Sequence, residues 1–229
     1  AAPLALMDGL YVTALRTGAA AAVGAKCLAR QESSTAGIVG TGTIGWSSLA
    51  ALDHCFSLKK VYAYDMDPAA RQAFVTKVSD HYPFEVFAAS AEETVQASDI
   101  LVTATPSRQP IVKAAWIEGG THISAMGADS QGKQELESAL HVKARIFCDS
   151  IKQCVQWGDV NNSIRNGLLD ESSLSGTIGE VIVGRKQGRT ADEEITLFDA
   201  TGIGIQDAVV ARLIYETALE KGIGTWAEL

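Results

Sequence analysis

Residues 35–56 read TAGIVGTGTIGWSSLAALDHCF, and this stretch decides the fold. TAGIVG is small and apolar without a helical period, which predicts a short buried strand. GWSSLAALDHCF has the spacing of a helix. Between them lies GTGTIG, Gly40 to Gly45, in the pattern G-x-G-x-x-G. Each glycine has a physical task there: Gly40 permits a tight turn, Gly42 lets a pyrophosphate approach the backbone, and Gly45 lets helix and strand pack closely. The helix start offers the free amides of Thr43, Ile44 and Gly45 and a positive dipole end to phosphate. An acid, Asp65, closes the next strand, KVYAYD, 20 residues beyond Gly45. Its carboxylate suits the ribose hydroxyls of NAD and would repel the 2′-phosphate of NADP by about 1–4 kcal/mol at contact distance. The expectation is a dinucleotide-binding turn that takes NAD.

Outward from this unit, strand and helix alternate from about 35 to 150. MDPAARQAFVTKVSDHY predicts a helix with Asp67 as N-cap and Pro68 at its first position. PFEVFAA predicts a strand. SAEETVQA opens with a capping box from Ser90 to Glu93. DILVTAT, GTHISAM and ARIFCD predict further strands, the first of the fully buried parallel type. Alternation of this kind implies an α/β fold, a Rossmann-type doubly wound parallel sheet with right-handed crossovers. The stretch from 1 to about 33 predicts a short strand, Leu4 to Met7, and an Ala-rich helix with Thr13 as N-cap. Beyond about 151 the pattern is mostly helical, with one strand at EITLFD and a final amphipathic helix, DAVVARLIYETALEKG, ending on Gly222.

Bulk properties exclude some functions. The chain has 229 residues and a formal net charge of −8, which argues against nucleic acid or an anionic membrane as a partner. No apolar run approaches the roughly 18 residues needed to span a bilayer. The opening AAPLALMDGL has no basic region of the signal-peptide kind. Cys27, Cys55, Cys148 and Cys154 form no C-x-x-C pair, and neither they nor His54, His81, His122 and His141 show metal spacing. Reduced thiols in a cytoplasmic protein without a metal are the expectation.

Ligands of open α/β sheets sit at strand C-termini. Thr103 and Thr105, with Ala104 and Pro106, end one strand; there they can bond a ribose or line a nicotinamide pocket, or simply form a turn. Asp129 follows the strand ending at Met126. It can hold an amine or shuttle a proton, and it can equally cap a turn. Arg16, among small residues of the first helix, either reaches solvent or clamps an anion.

The segments PLALMDG, YVTALRTGAA, GTGTIG, DILVTATPS, MGADSQGKQEL, TIGEVIVGRKQGR and EITLFDATGIGIQDAVVA occur in this order along the chain. Together they resemble the ornithine cyclodeaminase/mu-crystallin family, in forms most similar to archaeal-type alanine dehydrogenases. The resemblance implies an NAD-dependent oxidoreductase that deaminates a small L-amino acid. It leaves open a cyclodeaminase converting ornithine to proline, a ketimine or pyrroline-2-carboxylate reductase, and a nucleotide-holding protein of the crystallin kind. It implies that Arg16 binds the substrate carboxylate near the cofactor and that Asp129 is the acid/base residue. Met126, Gly127 and Lys133 would lie beside the cofactor. Ala200 and Thr201 would line nicotinamide and substrate; some relatives have Ser where Ala200 stands. The family also implies a homodimer. Residues 1–33 and 201–229 would contribute to a substrate and dimerisation domain, around a nucleotide domain at 34–200. Members carry a further N-terminal segment, with a catalytic Lys, before the point where this chain begins.

Overall fold

The computed structural model describes residues 4–226. Its strands are β1 (Thr35–Val39), β2 (Lys60–Tyr64), β3 (Glu85–Ala88), β4 (Ile100–Thr103), β5 (His122–Ala125), β6 (Arg145–Cys148), β7 (Gly176–Thr177) and β8 (Thr196–Asp199). The α-helices are α1 (Gly9–Leu28), α2 (Thr43–Asp53), α3 (Pro68–His81), α4 (Ala91–Gln96), α5 (Ser138–Lys143), α6 (Ile151–Trp157), α7 (Asn161–Arg165), α8 (Ile178–Ile182) and α9 (Gly204–Lys221). The strands form one sheet in the order β3-β2-β1-β4-β5-β8-β6-β7. Every pairing is parallel.

Side chains alternate across a strand, and here both faces are buried. Ile38, Ile100, Val102 and Phe198 point to one layer, where they meet Ala21, Ala25 and Leu28 of α1, Leu49 and Leu52 of α2, and Phe74 and Val78 of α3. Val39, Leu101 and Leu197 point to the other, against Val95, Leu140, Cys154 and Val160. This two-sided burial makes the strands read as continuous apolar runs. The Ala-rich face of α1 lies on β5 and β8 and beside α2. Helix α9 contacts α1, yet none of its residues is buried; Ile205, Val209 and Leu213 are exposed. Among the described residues no helix is long and apolar enough to cross a membrane.

Local capping signals are met. Asp67 accepts from the Ala69 amide with Pro68 at the helix start, and Ser90 with Glu93 forms the reciprocal box. Three expectations are corrected. Residues 4–8 have no regular structure, because a strand needs a neighbour for its amides and none of the described residues pairs with them. Helix α1 begins at Gly9, capped by the Asp8 carboxylate on the Leu10 amide at 2.9 Å, so Thr13 lies inside it. The final helix starts at Gly204, three residues before DAVVARL, since the intervening Ile205 and Gln206 do not break it. The helical C-terminal part also holds β7, a two-residue edge strand beside β6 that is too short to show a period.

Candidate functional site

The register brings the strand ends into one row. Tyr64, Val39, Thr103, Ala125, Asp199 and Cys148 are successive neighbours across the sheet. The residues that follow them, Asp65, Gly40, Ala104, Met126, Ala200 and Asp149, therefore leave the sheet side by side. These exits are where ligands of open α/β sheets sit.

At the β1 exit, Gly40 has φ of +99°, which only glycine adopts without strain. A Cβ on Gly45 would run into the Gly40 carbonyl oxygen, so the start of α2 is locked close to the turn. Gly42 faces open space and caps α2 without a side-chain hydrogen bond, leaving the first amides of the helix, Thr43 to Gly45, for an outside acceptor. The Asp65 carboxylate accepts from the Thr41 amide at 2.9 Å, the Thr41 hydroxyl at 3.0 Å and the Asp67 amide at 3.0 Å. Burial raises its pKa, but the Thr41 and Asp67 amides, the Thr41 hydroxyl and the Met66 amide more than offset this and hold it below the ordinary carboxylate range. The group stays anionic. Oδ1 keeps an open lone pair, and the rotatable Thr41 hydroxyl can swing aside to free another on Oδ2. These residues fit a dinucleotide with an unphosphorylated ribose.

The exits of β4 and β5 are tied together by a residue not singled out in the sequence. Glu135 is fully buried; it accepts from the Thr103 hydroxyl at 2.7 Å, the Thr105 amide at 2.7 Å and the Gly127 amide at 3.0 Å. The hydroxyl of Thr103 is thus directed at Glu135, and Thr105 meets it through its backbone. Burial pushes the Glu135 carboxyl up to about 7, Asp159 adds to the rise, and the bonds from Thr103 and Thr105 oppose it. Asp159 in turn accepts from the amides of Glu135 and Leu136. Asp199, at the end of β8, accepts from the amides of Asp159 and Val160, and its pKa is raised by burial and by Asp159. A stack of carboxylates therefore underlies the row of strand ends. No local pattern marks Glu135 or Asp159, whose partners are distant in sequence; Asp199, an acid closing the apolar strand ITLFD, was a visible signal.

Above this stack, Met126 is nearly buried and Gly127 makes the turn toward Asp129. Asp129 is 63% exposed and accepts from the Lys133 ammonium at 2.6 Å. Lys133 also reaches the Gly127 carbonyl at 3.4 Å. At the β8 exit, Ala200 is buried, and the Thr201 hydroxyl bonds Gln153 at 3.0 Å and Asp149 at 3.3 Å. Arg16 lies against Gly202, and its Nε donates to Asp207 at 3.1 Å. Because Ala125 and Asp199 are paired neighbours, the Asp129 loop and the Thr201–Gly202 loop leave from adjacent strands at one level. One grouping resembles a hydrolytic triad: His141 bonds Ser163 at 2.7 Å and Asp159 at 3.0 Å. All three side chains are buried, so no substrate reaches them and they serve packing.

The model of the ornithine cyclodeaminase/mu-crystallin family matches residues 1–222. The chain belongs to this family. It is 47% identical over 225 residues to an alanine dehydrogenase of Archaeoglobus fulgidus, covering 97% of this chain and 69% of the relative. Among solved structures, an archaeal alanine dehydrogenase dimer with bound NAD superposes with a TM-score of 0.95 at 46% identity; the match covers 100% of this chain and 71% of that one. The Thermococcus litoralis Δ1-pyrroline-2-carboxylate reductase, in complex with NADH and L-proline, gives a TM-score of 0.95 at 38% identity over 99% of this chain and 71% of that one. The expectations of the family, its doubly wound fold, an enzyme and NAD as cofactor are borne out by these relatives.

Proposed function

We propose that this family member oxidatively deaminates a small L-amino acid, L-alanine, with NAD, and that it works as a homodimer. The observation that carries the reading is the emergence of the Asp129–Lys133 pair and of the Arg16–Gly202 contact at adjacent strands, in the same row of strand ends as the glycine turn. The 47% identity to an alanine dehydrogenase supports the choice of substrate. For the dimer, the support is the dimeric archaeal structure and the exposed apolar face of α9 with Leu10 and Tyr11 of α1.

In this proposal the amides of Thr43, Ile44 and Gly45 hold the pyrophosphate over Gly40 and Gly42, and Asp65 holds the adenosine ribose. Met126, Gly127, Lys133, Thr103 and Thr105 shape the nicotinamide end, the two threonines through Glu135. Bound NAD supplies the acceptor for the hydride leaving the α-carbon. Arg16 pairs with the substrate carboxylate as a planar fork. The amino group must lose a proton before its lone pair can expel the hydride. Asp129, paired with the Lys133 ammonium at 2.6 Å, takes that proton. The imine formed then adds water and loses ammonia to give the 2-oxo acid. Thr201 lines the substrate side.

The test is NADH formation by the full-length protein from L-alanine, L-proline and L-ornithine. L-Alanine turnover, lowered about 10²–10⁴-fold by Asp129→Asn with NAD affinity little changed, is the expected result. A second reading, reduction of a cyclic imino acid, is favoured by the 38% identity to the Thermococcus litoralis reductase. Turnover of L-proline without L-alanine would establish it instead, release of ammonia and proline from L-ornithine would indicate a cyclodeaminase, and binding of NAD with no turnover would leave a nucleotide-holding protein.

A further inference from the structure

The chain leaving β4 is wedged between two glycines. A Cβ on Gly40 would stand 2.6 Å from the Ala104 carbonyl oxygen and 2.9 Å from Thr105 Cγ2, and a Cβ on Gly127 would collide with the Thr105 carbonyl oxygen. The backbone of Ala104 and Thr105 therefore touches the dinucleotide turn on one side and the loop that leads to Asp129 on the other. One side chain fastens this seam. Glu135 Oε2 accepts from the Thr103 hydroxyl at 2.7 Å and the Gly127 amide at 3.0 Å, and Oε1 accepts from the Thr105 amide at 2.7 Å. Glu135 is itself immobilised: it is fully buried, and its amide donates to Asp159 at 2.6 Å. The restraint passes outward through Gly127, whose carbonyl accepts from the Lys133 ammonium at 3.4 Å. Lys133 in turn holds Asp129, which is 63% exposed and, among the described residues, bonds no other side chain. Burying a carboxylate is costly, and β4 and β5 are already joined by their ladder up to the Thr103–Ala125 pair. What Glu135 adds lies beyond that ladder, in the two exit loops.

We infer that Glu135 is a positioning residue for hydride transfer. It fixes the spacing between the glycine turn that seats the dinucleotide and the Asp129–Lys133 pair that meets the amino acid, and, being buried, it touches neither reactant. A misplacement of about 1 Å between reacting groups costs on the order of 10²-fold in rate. The inference rests on the reading of the site as one that oxidises an amino acid with Asp129 as proton acceptor.

The test compares the full-length parent with Glu135→Gln, Thr103→Val and the double variant at about pH 8, where Glu135 is ionised and accepts all three bonds. It reads steady-state kinetics with L-alanine, or with L-proline if that is the one oxidised, the isotope effect of the α-deuterated substrate, NADH affinity by fluorescence titration, amide hydrogen exchange and thermal unfolding. Glu135→Gln turns an NH₂ toward the Thr105 amide and frees that loop. It lowers kcat about 10–10²-fold, with KM and NADH affinity within about threefold, because pyrophosphate and adenosine ribose are held elsewhere. The isotope effect rises, and exchange quickens at 104–107 and 126–133 but not along α2. Thr103→Val removes one bond to the same carboxylate and lowers kcat in the same direction, and the double variant loses less than the product of the two. If Glu135→Gln lowers Tm and quickens exchange while kcat and the isotope effect stay as in the parent, the clasp is structural and the inference is overturned. It is overturned equally if NADH affinity falls as far as kcat, or if the two losses multiply, since the threonine hydroxyl would then act on the cofactor by itself. Should Glu135→Gln fail to fold, Thr103→Val decides alone: a lower kcat at unchanged NADH affinity supports the inference, and an unchanged kcat overturns it. If neither amino acid is oxidised, or Asp129→Asn turns over as the parent does, the reading of the site fails and the inference falls with it.

Discussion

Replacing Glu135 by Gln changes charge while nearly preserving shape, and its effect on stability must depend on pH. The carboxyl sits at about 7 in the fold against an ordinary 4.5. Between those values the folded state binds a proton that the unfolded chain has released, so this group's contribution falls as pH rises through the window. The displacement corresponds to about 3 kcal/mol of stability present at low pH and lost by about pH 8. Glutamine carries no such dependence. It has its own cost, however, because three donors face the two oxygens, from Thr103, Thr105 and Gly127. With its oxygen toward Thr103 and Gly127, its NH₂ meets the Thr105 amide, and about 1–3 kcal/mol is lost with that bond. At about pH 5, Glu135→Gln is therefore the less stable protein by this amount. By pH 8 the gap closes or reverses, because the parent then carries a buried carboxylate beside Asp159. Urea unfolding of both proteins at each pH reads the difference directly, and the titration of every other group cancels in the comparison. A gap that stays constant, or widens as pH rises, would refute the reasoning, since it would mean that the ionised carboxylate is the form the fold favours.

Two further outcomes follow from the glycine turn and the ribose acid. Asp65→Ser with Met66→Arg, at a site where Met66 is 88% exposed and a long cation fits, erases or reverses the NAD preference; relief of the repulsion alone is worth about fivefold to several-hundredfold in relative affinity, and isothermal titration with NADH and NADPH checks it. Gly45→Ala drives a methyl into the Gly40 carbonyl and to 3.0 Å from Ile38 Cγ2, so α2 must move off β1. It costs about 1–3 kcal/mol, read as a lower Tm together with weaker NAD binding; an unchanged Tm would show the contact to be slack.

What could be read in advance was local. GTGTIG lies between an apolar strand and a helix, Asp67-Pro68 and the Ser90–Glu93 box are cap signals contained within a few residues, and each keeps its meaning in the fold. Where a signal needed a distant partner it misled or stayed silent. Leu4 to Met7 has strand composition but no neighbouring strand among the described residues. Thr13 is a good capping type, but Asp8 is better placed, and nothing in GLYVT prevents the helix from starting there. Thr103 was legible as a strand-end hydroxyl, yet its direction depends on Glu135, which lies 32 residues on. Arg16 could be either a solvent-facing or a clamping side chain until Gly202 and Asp207 were brought against it, the latter across 191 residues.

The place of β8 has a consequence for how the molecule comes into being. It is the last strand among the described residues, yet it lies inside the sheet, with β5 on one side and β6 on the other. Until it is made, β6 and β7 have no ladder connecting them to the five strands already assembled, and both fragments present open edges. A ribosome must therefore release the chain through Asp199 before the sheet can close, and this long-range step is intrinsically slow. The same strand carries the loop that seats Arg16, so the keystone of the sheet and the completion of the crevice arrive in one event. A nascent chain stopped before residue 196 would hold a finished glycine turn with no crevice beside it, and two sticky edges where the keystone belongs.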